Sequence, residues 1–324
     1  MKILVTGSAG FIGYHVCSEL LERGYQVIGV DNFNDYYDVK LKERRNQLLE
    51  KYPAYRLYKL NIADAEALRQ VFEQEPIQLV VHLAAQAGVR YSIEQPGTYV
   101  QSNLVGFANI LEACREFSIR RLLYASSSSV YGDNQEMPFT TEQRVDYPVS
   151  FYAATKKANE LMAHSYSHLY GIQTIGLRFF TVYGPWGRPD MAPFIFADAI
   201  RNDRAIKLYN QGNHLRDFTY IDDVVLGMMR IIESSALPKQ YSVYNIGCSN
   251  PVHLLEFVNQ FELAFGKKAI KEYAPMQPGD VYATYADVTP LQRDFDYRPR
   301  TNIETGVRSF VEWFKAYYNE EAVA

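Results

Sequence analysis

Cysteine is scarce: Cys17, Cys114 and Cys248 are the three in 324 residues, odd in number, widely spaced and without a CxxC pair. That excludes a disulfide framework and a cysteine-built zinc site, and leaves three small buried hydrophobes. The six histidines show no HExxH or other paired spacing, so no metal is expected. Long apolar runs are missing too. Residues 2–5 are too few to span a bilayer and lack the flanks of a secretion signal, so a cytoplasmic chain without membrane contact is expected. Nor is there an excess of positive charge. Lysine and arginine total 33 against 37 acids, a net charge of -4, which offers no footprint for nucleic acid and makes any phosphate binding local.

What is present is material for a large core: 48% hydrophobic residues, 22% charged, and 26 tyrosines, enough for one large domain or a large one with a smaller lobe. Short apolar runs at 2–5, 26–30, 57–60, 79–83, 121–125 and 173–177 alternate with helical patterns. This predicts βαβ units and a parallel sheet covered on both faces. Ile12, Val16 and Leu20, with Cys17 and Leu21 beside them, form one helix stripe; Leu104, Phe107, Leu111 and Cys114 form another over residues 103–117. In YGPWGRPDM two prolines and two glycines forbid a long regular element, so a change of lobe is expected there. A run at 243–246 predicts a return to the sheet, and 252–265 and 303–318 predict helices of the smaller lobe.

VTGSAGFIG sets Gly7, Gly10 and Gly13 between the first strand and the first helix. The turn needs unrestricted φ, the backbone must approach a pyrophosphate, and helix must pack closely on strand. The helix N-terminus adds amide donors and a favourable dipole, with Phe11 and Ile12 among the residues there. Eighteen positions beyond Gly13, Asp31 ends the second strand, where a carboxylate accepts ribose hydroxyls and repels a 2′-phosphate. NAD is therefore expected rather than NADP. Asn32 adjoins that carboxylate, and Asn61 and Ile62, after the third run, are expected beside the adenine.

Tyr152 and Lys156 stand four apart in the helical pattern FYAATKKANE, which puts phenol and ammonium on one face. The ammonium, with a nicotinium charge, is expected to lower the tyrosine pKa towards neutrality, as a general base requires. ASSSSVYG, residues 125–132, places hydroxyls after a strand, at the usual ligand edge of an open α/β sheet.

Together VTGSAGFIG, HLAAQAGVR, SSSSVYG, YAATK and RDFTYIDD resemble the extended short-chain dehydrogenases/reductases that modify nucleotide sugars, over nearly the whole chain. The resemblance implies a Rossmann-like doubly wound parallel sheet with a smaller mixed α/β C-terminal lobe. Residues 1–180 would form the NAD-binding domain, with a returning segment near 217–250. Residues 181–216 and 251–324 would bind a UDP-sugar. It implies catalytic roles for Ser127, Tyr152 and Lys156, and places Leu83, Ala84, Ala85, Asn103 and Ser126 in the cofactor site, beside Tyr152 and Lys156 themselves. It also implies a homodimer.

Relatives that dehydrate the sugar carry Asp-Glu where this chain has Ser128-Ser129, and those that decarboxylate UDP-glucuronate carry Glu at Ser129; both are missing. What remains is oxidation and reduction at C4. RFFTVYGPWGRPDMAP, with GVRYS, MQPGDV and DNFNDYYD, is similar to the pattern of the family's 4-epimerases of UDP-glucuronate more than to that of UDP-glucose. The likeness directs Thr181, Arg188 and Arg90 to the C6 carboxylate, with the pyrophosphate an equal role for Arg188. It directs Ser127, Ser128 and Tyr152 to the sugar, Arg216 to the diphosphate and Asp280 to the uridine ribose. Gln277 stands where many relatives have a diphosphate-binding arginine. Tyr209 has two roles open, stacking on uracil or packing in the core.

Overall fold

The computed structural model describes residues 1–235, 237–277 and 281–321. Seven parallel strands form the central sheet: β1 (Lys2–Thr6), β2 (Gln26–Asp31), β3 (Tyr55–Lys59), β4 (Leu79–His82), β5 (Arg121–Ser127), β6 (Gln173–Phe179) and β7 (Tyr241–Ile246). Their order across the sheet is β7-β6-β5-β4-β1-β2-β3. The chain winds outward from β1 in both directions, so the topological switch point lies between β1 and β4, where an open α/β sheet leaves a crevice.

The strands read as unbroken apolar runs because both faces are buried. Ile3 and Val5 enter one core cluster and Leu4 the other, as the period of two requires. The longer helices are α1 (Phe11–Glu22), α2 (Val39–Leu49), α3 (Ala65–Gln74), α4 (Gly106–Glu116), α5 (Phe151–Tyr170), α6 (Ala192–Arg201), α7 (Ile221–Glu233), α8 (Leu254–Phe265) and α9 (Ile303–Glu321). Leu20 of α1 joins Ile3, while Phe107 and Leu111 of α4 pack with Leu4. Among the described residues no helix is long and apolar enough to cross a membrane.

The smaller lobe is built from α6, α8 and α9 with short strand pairs. Thr181–Tyr183 pairs with Phe218–Tyr220 and Ala205–Leu208 with Ile270–Tyr273, both parallel. Phe194, Phe257, Phe261, Phe310 and Phe314 fill the space between its helices, and they continue the cluster that holds Ile3 and Val5. Two expectations change in detail. Residues 252–253 are not helical: Val252–His253 pairs antiparallel with Leu215–Arg216, and α8 starts only at Leu254. The helix expected from 103 is a π-helical turn, Val100–Val105, followed by α4. Cys17 and Cys114 are buried, but Cys248 is only partly so.

Candidate active site

The glycine loop follows β1 and turns into α1. Gly7 takes φ +72°, and its amide donates to Val30 O at 2.7 Å. A Cβ on Gly13 would lie 1.9 Å from Gly7 O, and one on Gly7 would lie 2.8 Å from Ala84 N. At these two positions there is therefore no room for a side chain between strand, helix and the β4 loop. α1 begins behind Gly10, with no side-chain cap and no acid in its first turn. Its first amides are thus the kind of donor set an anion satisfies. Gly7, Gly10, Phe11, Ile12 and Gly13 all line one large cavity that crosses the strand ends at the switch point.

Asp31 ends β2 in the same wall, buried, with Oδ2 accepting from Ala9 N at 3.0 Å and Oδ1 from Phe33 N at 2.8 Å. Burial pushes its pKa up, against those amides and the Lys42 and Arg45 charges. Each oxygen keeps lone-pair capacity for a further donor. An uncapped helix end, glycines at the two close approaches of the loop and a buried carboxylate at this spacing fit a dinucleotide whose ribose hydroxyls are unphosphorylated. Asn32, Asn61, Ile62, Leu83, Ala84, Ala85 and Ser126 line the cavity too.

Asn103 does not. It is 1% exposed, and its amide group is consumed by Gln86 N (2.8 Å), Gln86 O (3.0 Å) and Thr155 Oγ1 (3.0 Å). It braces the loop after β4 against α5. Ser126 faces the cavity, yet its hydroxyl donates to Glu160 Oε1 at 2.8 Å, and Glu160 pairs with buried Arg178 at 2.8 and 2.9 Å.

On the opposite side of the switch point, β5 ends at Ser127 and continues as the 3-10 turn Ser128–Tyr131. The serine run both lines the cavity and caps that turn: Ser127 Oγ accepts from Ser129 N at 3.1 Å and lies 3.1 Å from Ser129 Oγ. α5 starts behind Ser150, whose hydroxyl accepts from Ala153 N at 3.1 Å. One turn of α5 then brings Tyr152 and Lys156 into the same wall as Ser127.

In the protein without NAD, burial dominates the electrostatics. Burial raises the Tyr152 pKa, and a hydrogen bond from Ser127 and the Arg188 charge only partly oppose it. Burial also lowers Lys156 to about 8. Its ammonium donates to Ala125 O at 3.0 Å. In the protein alone, desolvation of Tyr152 outweighs the Arg188 charge, so phenolate is disfavoured until further positive charge arrives.

Ser128, Thr181 and Arg188 also line the cavity, as do Tyr36, Lys42, Gln86 and Ser129, which sequence reasoning did not select. Arg90, Tyr209 and Arg216 lie outside it. The Arg90 guanidinium sits 5.0 Å over the Tyr209 ring. Arg216 donates to Val281 O (2.7 Å), Tyr282 O (2.9 Å) and Leu215 O (3.0 Å), holding β-structure of the small lobe together. Asp280 lies outside the described residues.

The NAD dependent epimerase/dehydratase family matches residues 3–247. The chain belongs to that family and is an NAD-dependent enzyme. It is 53% identical to Protein CapI of Staphylococcus aureus, over 99% of this chain and 100% of that one. It is 45% identical to a probable UDP-glucuronate 4-epimerase of Rhizobium meliloti, over 98% of each. A crystal structure of UDP-glucuronic acid 4-epimerase from Bacillus cereus, in complex with UDP-glucuronic acid and NAD, has a TM-score of 0.92 and 33% identity, covering 98% of this chain and 100% of that one.

Proposed function

We propose that this chain, an NAD-dependent UDP-sugar 4-epimerase, interconverts UDP-glucuronate and UDP-galacturonate through a 4-keto sugar. The observation that carries the choice of sugar is the cavity wall itself, in which Arg188 and Thr181 share the lining with Ser127 and Tyr152 while positions 128 and 129 hold no acid. A guanidinium and a hydroxyl suit a sugar carboxylate, and the serines leave no side-chain acid or base there for elimination. The relatives named for UDP-glucuronate support the same choice.

When bound, NAD supplies a hydride acceptor and donor and a positive charge beside the phenol. Gly7, Gly10, Gly13 and the first amides of α1 would hold its pyrophosphate, and Asp31 a ribose. Tyr152 would take the proton of the 4-hydroxyl, and Ser127 would hydrogen-bond the same oxygen. After the 4-keto ring turns over, Tyr152 returns the proton to the oxygen on the inverted carbon. Arg188, Thr181 and Ser128 would hold the carboxylate out of line with the ketone, because a β-keto acid so aligned loses carbon dioxide. Exposed Leu161, Leu169 and Tyr170 on α5 support a homodimer paired through that helix, and buried thiols at Cys17 and Cys114 support a cytoplasmic setting.

The test is NMR of products from UDP-glucuronate and from UDP-glucose, side by side, without added cofactor. UDP-galacturonate is the expected main product. Preferential turnover of UDP-glucose, or a UDP-pentose as the main product, would sink the assignment.

A further inference from the structure

Arg188 does not face the cavity alone. Asp190 takes it in a bidentate grip: Oδ1 accepts from Nε at 3.0 Å and Oδ2 from Nη2 at 2.5 Å. The same Oδ2 accepts from the Tyr36 hydroxyl at 3.1 Å. Asp190 is not in the cavity lining, whereas Arg188 and Tyr36 both are. One edge of the guanidinium fork is thus fixed from behind, and Nη1 is left for a ligand.

Tyr36 belongs to the loop after β2, five residues beyond Asp31. Its ring packs 4.8 Å from Tyr91, which lies 6.2 Å from Tyr99, which lies 6.1 Å from Tyr152. Tyr99 in turn donates to Gly88 O at 2.5 Å. Buried Arg45 of α2 ties down the backbone of the arginine's own loop: its Nη2 donates to Trp186 O (2.6 Å) and Gly187 O (3.1 Å), while Nη1 donates to Ala9 O (2.9 Å) in the glycine loop. Two clasps from the 36–45 segment, one on the backbone and one on the side chain, therefore set where Arg188 stands relative to Tyr152.

We propose that Asp190 and Tyr36 are positioning residues that orient the Arg188 fork for the sugar's carboxylate and thereby set the preference for an acidic sugar. This rests on the reading of Arg188 as the carboxylate partner. Burial and the Asp190 charge keep Tyr36 a neutral phenol, its pKa pushed up to about 12, so it donates at any working pH. Burial alone would raise Asp190, but the Arg188 guanidinium more than offsets it, so the carboxylate stays charged. A long arginine side chain gripped on one edge loses fewer rotamers when a ligand binds the other, and the benefit falls on ground-state binding.

The experiment compares Asp190→Ala, Tyr36→Phe and Arg188→Ala in the full chain, reading KM and kcat with UDP-glucuronate and the inhibition constant of UDP-glucose as a competing neutral sugar. For Asp190→Ala and Tyr36→Phe the expected result is a KM for UDP-glucuronate raised about tenfold, the size of one charge-assisted hydrogen bond. kcat should stay within about twofold, as loss of uniform binding requires. The UDP-glucose constant should be unchanged, and Asp190→Glu should recover most of the KM. If Arg188→Ala raises KM while both positioning variants keep the wild-type value, the proposal is overturned and the reading of Arg188 stands. Equal losses for the acidic and neutral sugars would place Arg188 on the diphosphate and overturn the proposal too. An unchanged KM in Arg188→Ala would remove the reading of Arg188 itself. Should Asp190→Ala fail to fold, Tyr36→Phe, which loses one hydroxyl, carries the test.

Discussion

At the scale of one residue, Lys156 shows function held against stability. Its side chain is buried at 2% exposure, its ammonium finds one carbonyl, and burial brings its pKa down to about 8. A lysine whose folded pKa lies below its unfolded value leaves the unfolded chain holding more protons between about pH 8 and 10.5. Stability contributed by this group therefore rises with pH across that window, and the penalty is complete below it. Lys156→Met keeps the stem and removes the charge. In the cofactor-free chain it should gain roughly 1–3 kcal/mol at pH 7 and show a smaller rise towards pH 10. Turnover should fall at least about a hundredfold, the size of a general-base contribution. Denaturant midpoints at the two pH values, beside a turnover assay, measure both. A variant less stable than wild type at pH 7 would show that packing or the hydrogen bond outweighs the buried charge.

At the scale of the element, the glycine loop and the sheet were the legible parts. Strands buried on both faces announce themselves as apolar runs, and β7 was readable at 243–246 although it comes back from far along the chain. The turn at Gly7 and the packing at Gly13 are properties of the backbone, so residue type alone reports them. Gly13→Ala should for that reason be disabling, since its Cβ would meet Gly7 O at 1.9 Å, whereas Gly24→Ala places its Cβ within 4 Å of nothing and strains only a φ of +82°. The expectation is an NAD affinity lowered at least about tenfold for Gly13→Ala, with Gly24→Ala losing about 1 kcal/mol of stability and no affinity. Cofactor titration and thermal melts separate the two, and a Gly13→Ala variant with wild-type affinity would mean that the loop relaxes. Less was legible where no periodicity applies. The π-helical turn at Val100–Val105 uses ordinary helix formers, so nothing in its composition marks it. The place of Asn103 in the family pattern says nothing of where its amide points, which here is to Gln86 and Thr155. Tyr36 and Asp190 stand in turns 154 residues apart, and only the fold makes them neighbours. The lowered tyrosine pKa is expected from an ammonium together with a nicotinium charge; in the protein without NAD the balance belongs to burial, which pattern does not reveal.

At the scale of the whole molecule, the sheet and the smaller lobe are joined by a buried carboxylate. Asp217 is 0% exposed and accepts from Cys248 N (2.6 Å) after β7, from Ser249 N (3.0 Å) and from Ala286 N (3.0 Å) in the small lobe, with Thr219 Oγ1 at 3.3 Å. Burial raises its pKa and the amides pull it back, so the charge is held by oriented backbone dipoles and not by an ion pair. Removing the acceptor strands three N–H groups, that of Ala286 buried and those of Cys248 and Ser249 partly so, and a buried one left unpaired costs about 1–3 kcal/mol. Asp217→Ala should therefore cost several kcal/mol, on the order of 10 °C in Tm for a chain of this size. Since the knot joins the lobe to the strand beside β6, amide exchange should quicken at residues 284–288 and 247–250 before it does in β1 or β4. Asp222, a few residues on, is the control. It is raised by burial, by Asp223 and by Glu19. A carboxylate raised in the folded state costs stability at neutral pH and recovers it as pH falls, so Asp222→Asn should be neutral or slightly stabilising at pH 7. Were Asp217→Ala to melt with wild type, or to loosen the central strands first, the cavity walls would be held in register by the aromatic core alone.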